Sequence, residues 1–104
     1  MATPELTDQQ RAEALVKATA VRSARRAFKD ALARGEFSLE QAIKTAKGDE
    51  ALAGIRVHDL LQCLPGVGPK RARAAMDEIG ISPARRIRGL GTHQVEALLA
   101  RESR

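Results

Sequence analysis

One segment in the second half of the chain decides its fold, and it reads Leu60-Leu61-Gln62-Cys63-Leu64-Pro65-Gly66-Val67-Gly68-Pro69-Lys70-Arg71-Ala72. Apolar residues at positions 57, 60, 61 and 64 have the spacing of one face of an amphipathic helix. Residues 65–68 break that helix, and Pro69 stands at the favoured first position of a new one. The segment therefore predicts a helix, a tight glycine turn at residues 65–68, hereafter the hairpin, and a second helix.

The hairpin has the chemistry of an anion-binding site. Gly66 and Gly68 carry no Cβ, so the backbone can turn tightly and come close to a ligand. The second helix begins directly after them, which leaves its unpaired N–H groups and the positive end of its dipole facing outward. Lys70 and Arg71 add formal charge beside these groups. We therefore expect this segment to contact the phosphates of a nucleic acid, and the alternative is a structural turn or a hairpin that docks a protein.

The rest of the chain is predicted to be helical as well, because alanine is abundant, β-branched residues are sparse and no strand pattern occurs. Capping boxes mark the starts of the first two helices: Thr7 with Gln10, and Ser38 with Gln41. The first helix is predicted over residues 7–34, after a flexible tail at residues 1–6. A short helix runs to Gly48, and a helical turn follows at residues 49–53. Gly80 is predicted to end the helix that begins at Pro69, and Ser82 with Pro83 predicts a single helical turn over residues 83–87. Thr92 is predicted to cap the last helix. We expect one all-α domain over residues 7–104.

Basic residues are concentrated in the second half of the chain. There are 18 Lys and Arg residues against 13 Asp and Glu residues, a net charge of +5. Residues 1–52 contribute +1 and residues 53–104 contribute +4. Arg85, Arg86 and Arg88 form an arginine segment (residues 85–88), and no acidic residue lies between Glu78 and Glu96. This balance is compatible with a polyanionic partner, although the 13 Arg residues are equally compatible with a GC-rich genome.

The long first helix presents two faces with different chemistry. Its predicted apolar stripe comprises Ala14, Val21, Ala24, Phe28, Ala31 and Leu32. On the opposite side we place a basic stripe of four residues, with Arg11 farther along the same side: Arg22, Arg25, Arg26 and Lys29. These four residues are a candidate second DNA surface, and the alternative is a solvated helix face. A helix of about 27 residues is roughly 40 Å long. It must project from so small a domain or wrap around it.

Several functions are disfavoured by what the sequence contains. One cysteine, Cys63, precludes an internal disulfide, and its apolar neighbours predict a buried, inert thiol. His58 and His93 are isolated, so no metal site is predicted. No signal peptide and no apolar stretch of about 20 residues is found, so we expect a soluble cytoplasmic protein. No catalytic constellation and no cofactor motif is apparent.

The segment at residues 60–72 resembles the helix–hairpin–helix motif, in which the hairpin amides bind a DNA phosphate without reading sequence. Over roughly residues 5–100 the chain is similar to the actinobacterial integration host factor family. The proteins of this family are small helical monomers with a helix–two-turn–helix module. The resemblance implies a compact module at about residues 55–102 beside the long helix. It also implies a nucleoid-associated protein that binds and bends duplex DNA and supports phage integration, with an integrase–DNA complex as a further partner. The implied DNA-binding residues are Gly66, Val67, Gly68, Lys70, Arg71, Arg85, Arg86, Arg88, Gly89 and Gly91. Pro69 departs from the family pattern, which often has lysine after the second glycine.

Two other groups of proteins share the hairpin. Helix–hairpin–helix DNA glycosylases carry a catalytic lysine at the position of Lys70, but they also need an aspartate near position 88, where this chain has Arg88. A base-flipping enzyme also needs stacking side chains, and only Phe28 and Phe37 are aromatic. A small-subunit ribosomal protein shares the helix–two-turn–helix but has a long basic tail. Ribosomal-type RNA binding and a protein–protein adaptor remain the alternatives to DNA binding.

Overall fold

A computed structural model describes residues 7–102 of the chain. They form six α-helices and one 3₁₀ turn: α1 Asp8–Ala33, α2 Leu39–Lys47, α3 Glu50–Ala53, α4 Val57–Leu61, α5 Pro69–Ile79, the 3₁₀ turn Ile87–Gly89, and α6 Thr92–Glu102. Residues 7–102 contain no strand, and one isolated antiparallel bridge joins Arg56 to Arg86. The all-α prediction is confirmed. The predicted tail at residues 1–6 and the last two residues of the predicted domain lie outside the described residues.

The first three helices begin at side chains that cap the backbone. Both predicted capping boxes are present, at Thr7 for α1 and at Ser38 for α2. The Asp49 carboxylate accepts a 3.0 Å hydrogen bond from the Leu52 N–H and so caps α3. Each cap satisfies amides that a helix start leaves without partners, which fixes where the helix begins. Helix α1 accordingly differs from its predicted bounds by one residue at each end.

Two local predictions in the last third of the chain are wrong. Thr92 does not precede α6 but is its first residue, and the Gly91 N–H donates to Oε1 of Gln94 at 3.0 Å. Residues 83–87 do not form a helical turn. The Arg85 N–H closes a turn onto the Ser82 carbonyl, and Arg86 is then extended because it pairs with Arg56. A long-range pairing thus overrides the local helix signal.

The core lies between α2, α4, α5, α6 and the last turn of α1. Its largest fully buried side chains are Leu32, Val57, Leu60, Leu61, Met76, Ile87 and Leu98. Each aliphatic side chain of this size stabilises the fold by about 1.5–3 kcal/mol when it is fully buried. Helices α2 and α3 add Ala42, Ile43 and Leu52 to the same cluster. The compact module therefore begins near Leu32, well before the predicted residue 55.

Helix α1 projects from this core over most of its length. Of its residues only Leu32 is buried, and Phe28 is half-buried and stacks on Phe37 with ring centroids 5.0 Å apart. Earlier in the helix, Leu15 and Val16 are 64% and 69% exposed. The predicted apolar stripe therefore packs only towards its C-terminal end, since a core of this size cannot cover about 39 Å of helix.

Candidate nucleic-acid interface

The hairpin presents bare backbone to the solvent while one side chain anchors it. Gly66 has a φ of +78°, which favours glycine, and both Gly66 and Gly68 are exposed. A Cβ on either glycine would meet no protein atom within 4 Å. Between them Val67 is buried, and its N–H donates to the Leu64 carbonyl at 3.1 Å. Val67 therefore holds the turn in place, and the two glycines keep the space in front of it open.

The N-terminus of α5 lies directly behind this opening and has no cap. Its N-cap residue is Gly68, which offers no side-chain acceptor, and no acidic residue lies in the first turn. The N–H groups of Gly66, Gly68, Lys70 and Arg71 make no hydrogen bond within residues 7–102. Unpaired amides at the positive end of a helix dipole form a site for an oxyanion such as phosphate.

Of the three basic side chains on the first turns of α5, Lys70 is the one without a carboxylate partner in the described part of the chain. Lys70 is exposed, whereas Arg71 forms a 3.2 Å ion pair with Glu102 of α6. Arg73 pairs at 3.2 Å with Asp77, which lies one helical turn further along α5. A phosphate at the hairpin would therefore compete with Glu102 for Arg71, and Lys70 is the side chain best placed to neutralise it.

The arginine segment is held against the linker between α3 and α4. The Val57 N–H donates to the Arg85 carbonyl at 3.0 Å, and the Ile87 N–H donates to the Ile55 carbonyl at 2.9 Å. The Arg85 side chain folds over the 3₁₀ turn, where its Nη1 donates to the Gly89 carbonyl at 2.6 Å. The segment is thus rigidly placed, and the Arg85 guanidinium is committed in part to its own turn.

The second pair of glycines differs from the hairpin glycines. The Gly89 N–H donates to the Arg86 carbonyl at 2.9 Å, and the Arg85 side chain lies 2.9 Å from where a Cβ of Gly89 would be. The Gly91 N–H is taken by Gln94. Neither amide is available to a ligand in this conformation, so Gly89 and Gly91 shape the turn that carries Arg88.

The basic stripe on α1 does not form one surface. Arg22 and Arg26 are exposed, and within residues 7–102 the Arg22 side chain donates only to the Thr19 hydroxyl, at 3.4 Å. Arg25 is half-buried and turns toward the compact module, where its Nε donates to the Ala51 carbonyl at 2.7 Å. Lys29 is also half-buried. The prediction that these four residues lie opposite the packed side of α1 is therefore wrong for Arg25 and Lys29. With 3.6 residues per turn, these two lie beside the part of α1 that packs against the core.

Three residues of this region have no signal in the sequence pattern. Gly54 is buried beside the guanidinium groups of Arg25 and Arg88, and its carbonyl accepts from Nη1 of Arg86 at 2.5 Å. Arg56 is exposed and lies across the bridge from Arg86. Lys47 donates from Nζ to the Leu90 carbonyl at 2.6 Å. Their partners are about 30 or more positions away in the chain, so local spacing could not reveal them.

The cysteine and the histidine beside the hairpin are structural. Cys63 is half-buried, not fully buried as predicted, and its Sγ lies 3.3 Å from the Asp59 carbonyl. Burial raises the pKa of its thiol, which keeps the less reactive protonated form. His58 lies with Nε2 3.3 Å from the Pro69 carbonyl and Nδ1 3.0 Å from Nε2 of Gln62. These contacts tie α4 to the start of α5.

Residues 7–102 contain neither a cluster of metal-binding side chains nor a helix suited to a membrane. No group of three or more His, Cys, Asp and Glu side chains in this range could hold a metal ion. No helix in the same range has the length and apolar character that a membrane span requires.

Comparison with known proteins places the chain among relatives of similar length. Residues 32–102 match the family of S13-like H2TH domains. The chain is 52% identical over 99 residues to the integration host factor of Mycobacterium tuberculosis, covering 95% of this chain and 94% of that protein. It is 44% identical over 98 residues to the integration host factor of Streptomyces coelicolor, covering 94% and 92%. The structure of sIHF bound to an 8 bp palindromic DNA superimposes with a TM-score of 0.78 and 41% identity, covering 83% of this chain and 96% of that chain.

These similarities extend beyond the motif to nearly the whole chain. The matched H2TH segment, residues 32–102, begins where the compact core begins and contains both the hairpin and the arginine segment. The full-length relatives also cover the projecting helix α1. The chain therefore belongs to the integration host factor family of mycobacteria and Streptomyces, and it carries the S13-like H2TH domain.

Proposed function

We propose that this chain binds duplex DNA through its phosphate backbone, with little sequence specificity, as a nucleoid-associated protein. The observation that carries the proposal is the uncapped N-terminus of α5 behind the open glycines of the hairpin, with Lys70 beside it. Backbone amides and phosphate-directed cations position a protein on DNA without reading its bases. The sIHF relative, whose structure was solved with DNA, supports a duplex as the ligand.

The proposed contact set has two parts. The amides of Gly66 and Gly68, together with Lys70 and the start of α5 at Arg71, bind one stretch of backbone, with Val67 as the buried anchor. The arginine segment binds a second stretch, shaped by Gly89 and Gly91. The exposed cations Arg22 and Arg26 extend the basic surface along α1. Residues 7–104 would act as one DNA-binding domain.

Two backbone contacts held by a rigid core would allow the monomer to bend DNA. Bending and compaction depend on how easily the duplex deforms, so any site preference would come from DNA flexibility or groove width. We propose that the chain acts in this way in the cytoplasm, on the nucleoid, and that it assists site-specific recombination by presenting bent DNA to a phage integrase. It would act by binding alone, without catalysis and without a cofactor.

A titration with three nucleic acids tests this function. Fluorescence anisotropy is measured with one duplex, its matched single strand and a structured RNA, each at several salt concentrations. We expect the duplex to bind most tightly, and neutralising about six phosphates would give a log–log salt slope of roughly −5. A preference for structured RNA would favour ribosomal-type binding, and absence of binding to all three would favour the adaptor. Energy transfer between labels at the two duplex ends then tests bending.

A further inference from the structure

Three arginine side chains from distant parts of the chain converge on Gly54, the residue that ends α3. Arg86 donates to the Gly54 carbonyl from Nη1 at 2.5 Å. A Cβ on Gly54 would overlap the guanidinium of Arg25 and would lie 2.8 Å from Nη2 of Arg88. Arg25 comes from α1, whereas Arg86 and Arg88 come from the arginine segment. We call these three side chains the Gly54 cluster.

The cluster is held in place by backbone carbonyls and not by carboxylates. Arg25 donates from Nε to the Ala51 carbonyl at 2.7 Å, and Arg86 uses the Gly54 carbonyl. Within the described residues, no ion pair joins any of the three guanidinium groups to an acidic side chain. Each guanidinium carries five N–H donors, so most of them remain available.

Like charges brought together without a counter-ion repel each other, and an anion bound between them would remove that cost. The guanidinium fork matches the oxygens of a phosphate, with charge-assisted hydrogen bonds. We propose that the Gly54 cluster is a preformed site for one backbone phosphate of duplex DNA, distinct from the hairpin. The proposal rests on the proposed function and adds Arg25 of α1 to the contacts of the H2TH domain.

This site also accounts for the glycine at position 54. The backbone of Gly54, with φ −83° and ψ −2°, is a conformation that alanine adopts without strain. Glycine is therefore needed there for space and not for its backbone freedom. The space it leaves is occupied by the ends of the Arg25 and Arg88 side chains.

The substitution Gly54→Ala tests the site while leaving every charge in the protein. Its matched control is Gly48→Ala, because Gly48 also ends a helix with φ −88° and ψ 0°, and a Cβ there would lie at ordinary distances of 3.7 and 3.8 Å from its neighbours. We expect Gly54→Ala to weaken duplex binding about tenfold at 0.1 M salt, since it displaces two charge-assisted contacts. Gly48→Ala should stay within about twofold of the unmodified chain.

A second variant keeps the test decisive if Gly54→Ala fails to fold. Arg25→Lys keeps the charge but loses the fork, and we expect it to weaken duplex binding about fivefold. Arg34→Lys is its control, since Arg34 lies at the end of α1 and pairs with Glu36 at 2.5 Å. Duplex affinity equal to the unmodified chain in the folded variants would overturn the cluster as a site. No duplex binding by the unmodified chain would instead overturn the proposed function.

NMR spectroscopy separates DNA phosphate from free phosphate. The side-chain Nε–H signals of Arg25 and Arg88 should shift when a short duplex is added, and inorganic phosphate should shift them only weakly. The shifts caused by the duplex should disappear in Gly54→Ala. Signals that respond to millimolar inorganic phosphate but not to the duplex would assign the cluster to a small anion and overturn the DNA site.

Discussion

The N-termini of α2 and α5 are built from opposite chemistry. Helix α2 begins at Ser38, whose hydroxyl accepts from the Gln41 N–H while the Gln41 side chain accepts from the Ser38 N–H, and Glu40 lies in its first turn. Helix α5 begins at Gly68, without a cap and without an acidic residue in its first turn. One helix start satisfies its own amides, and the other leaves them for a ligand.

The difference lowers the stability of the α5 start, and a bound anion would offset that loss. A serine or asparagine N-cap is better than glycine by a few tenths of a kcal/mol, and an acidic residue in the first turn adds about 0.3–1 kcal/mol. Helix α5 forgoes both contributions. The backbone conformation does not require glycine at position 68, because φ −92° and ψ −176° is an extended conformation that any residue can adopt. The contrast supports the start of α5 as the proposed phosphate site.

The largest expected effect comes from giving α5 the acidic cap that it lacks. Gly68→Asp should stabilise the fold by about 0.5–1 kcal/mol, because the carboxylate accepts from the free amides and faces the helix dipole. The same carboxylate repels phosphate and occupies its donors, so duplex affinity should fall about 100-fold. Urea unfolding and anisotropy titration measure the two effects.

Gly68→Asn provides the control for charge, since it offers a similar cap without a negative charge. We expect its stability to rise by a few tenths of a kcal/mol and its duplex affinity to fall less than that of Gly68→Asp. If Gly68→Asp bound DNA as tightly as the unmodified chain, the start of α5 would not be the phosphate site.

A smaller effect is expected from removing the cation beside the open amides. Lys70→Ala should weaken duplex binding about fivefold and make the log–log salt slope less negative by about 0.9, as one phosphate loses its neutralising charge. Lys44→Ala is the control, because Lys44 is exposed on α2 and lies 3.8 Å from Glu40. An equal change of slope for both lysines would mean that only the overall charge of the protein matters.

The smallest effect on binding is expected at the capped helix. Ser38→Ala should lower the free energy of unfolding by about 1 kcal/mol, since it leaves the Gln41 N–H without its hydroxyl acceptor. Duplex affinity of the folded variant should not change. Thr45→Ala, on the exposed side of the same helix, should leave both quantities nearly unaltered. A tenfold loss of affinity in Ser38→Ala would show that both helix starts bind DNA and would remove the contrast.

Much of the fold and the hairpin was predictable because the signals are local. Capping boxes, the spacing of apolar residues and the positions of Pro69 and Gly80 act within one or two turns of helix, so they mark helix ends directly. Gly80 ends α5 with φ +85°, as a residue in the left-handed region commonly does. The sequence placed the start of the compact module near residue 55, whereas the core begins near Leu32. The apolar face of an amphipathic helix such as α2 shows that it is buried but not which helices it packs against.

The candidate site divides in the same way. Gly66, Gly68 and Lys70 lie within five positions of one another, so the sequence itself places bare amides and a cation at one helix start. Which of the other basic residues are available was decided by contacts across the fold. Glu102 takes up Arg71, and the carbonyl of Ala51 draws Arg25 inward. The three arginine side chains meet at Gly54 only because α1, α3 and the arginine segment pack together. These residues are about 30 positions from Gly54 in the chain, so only the tertiary structure brings them to it.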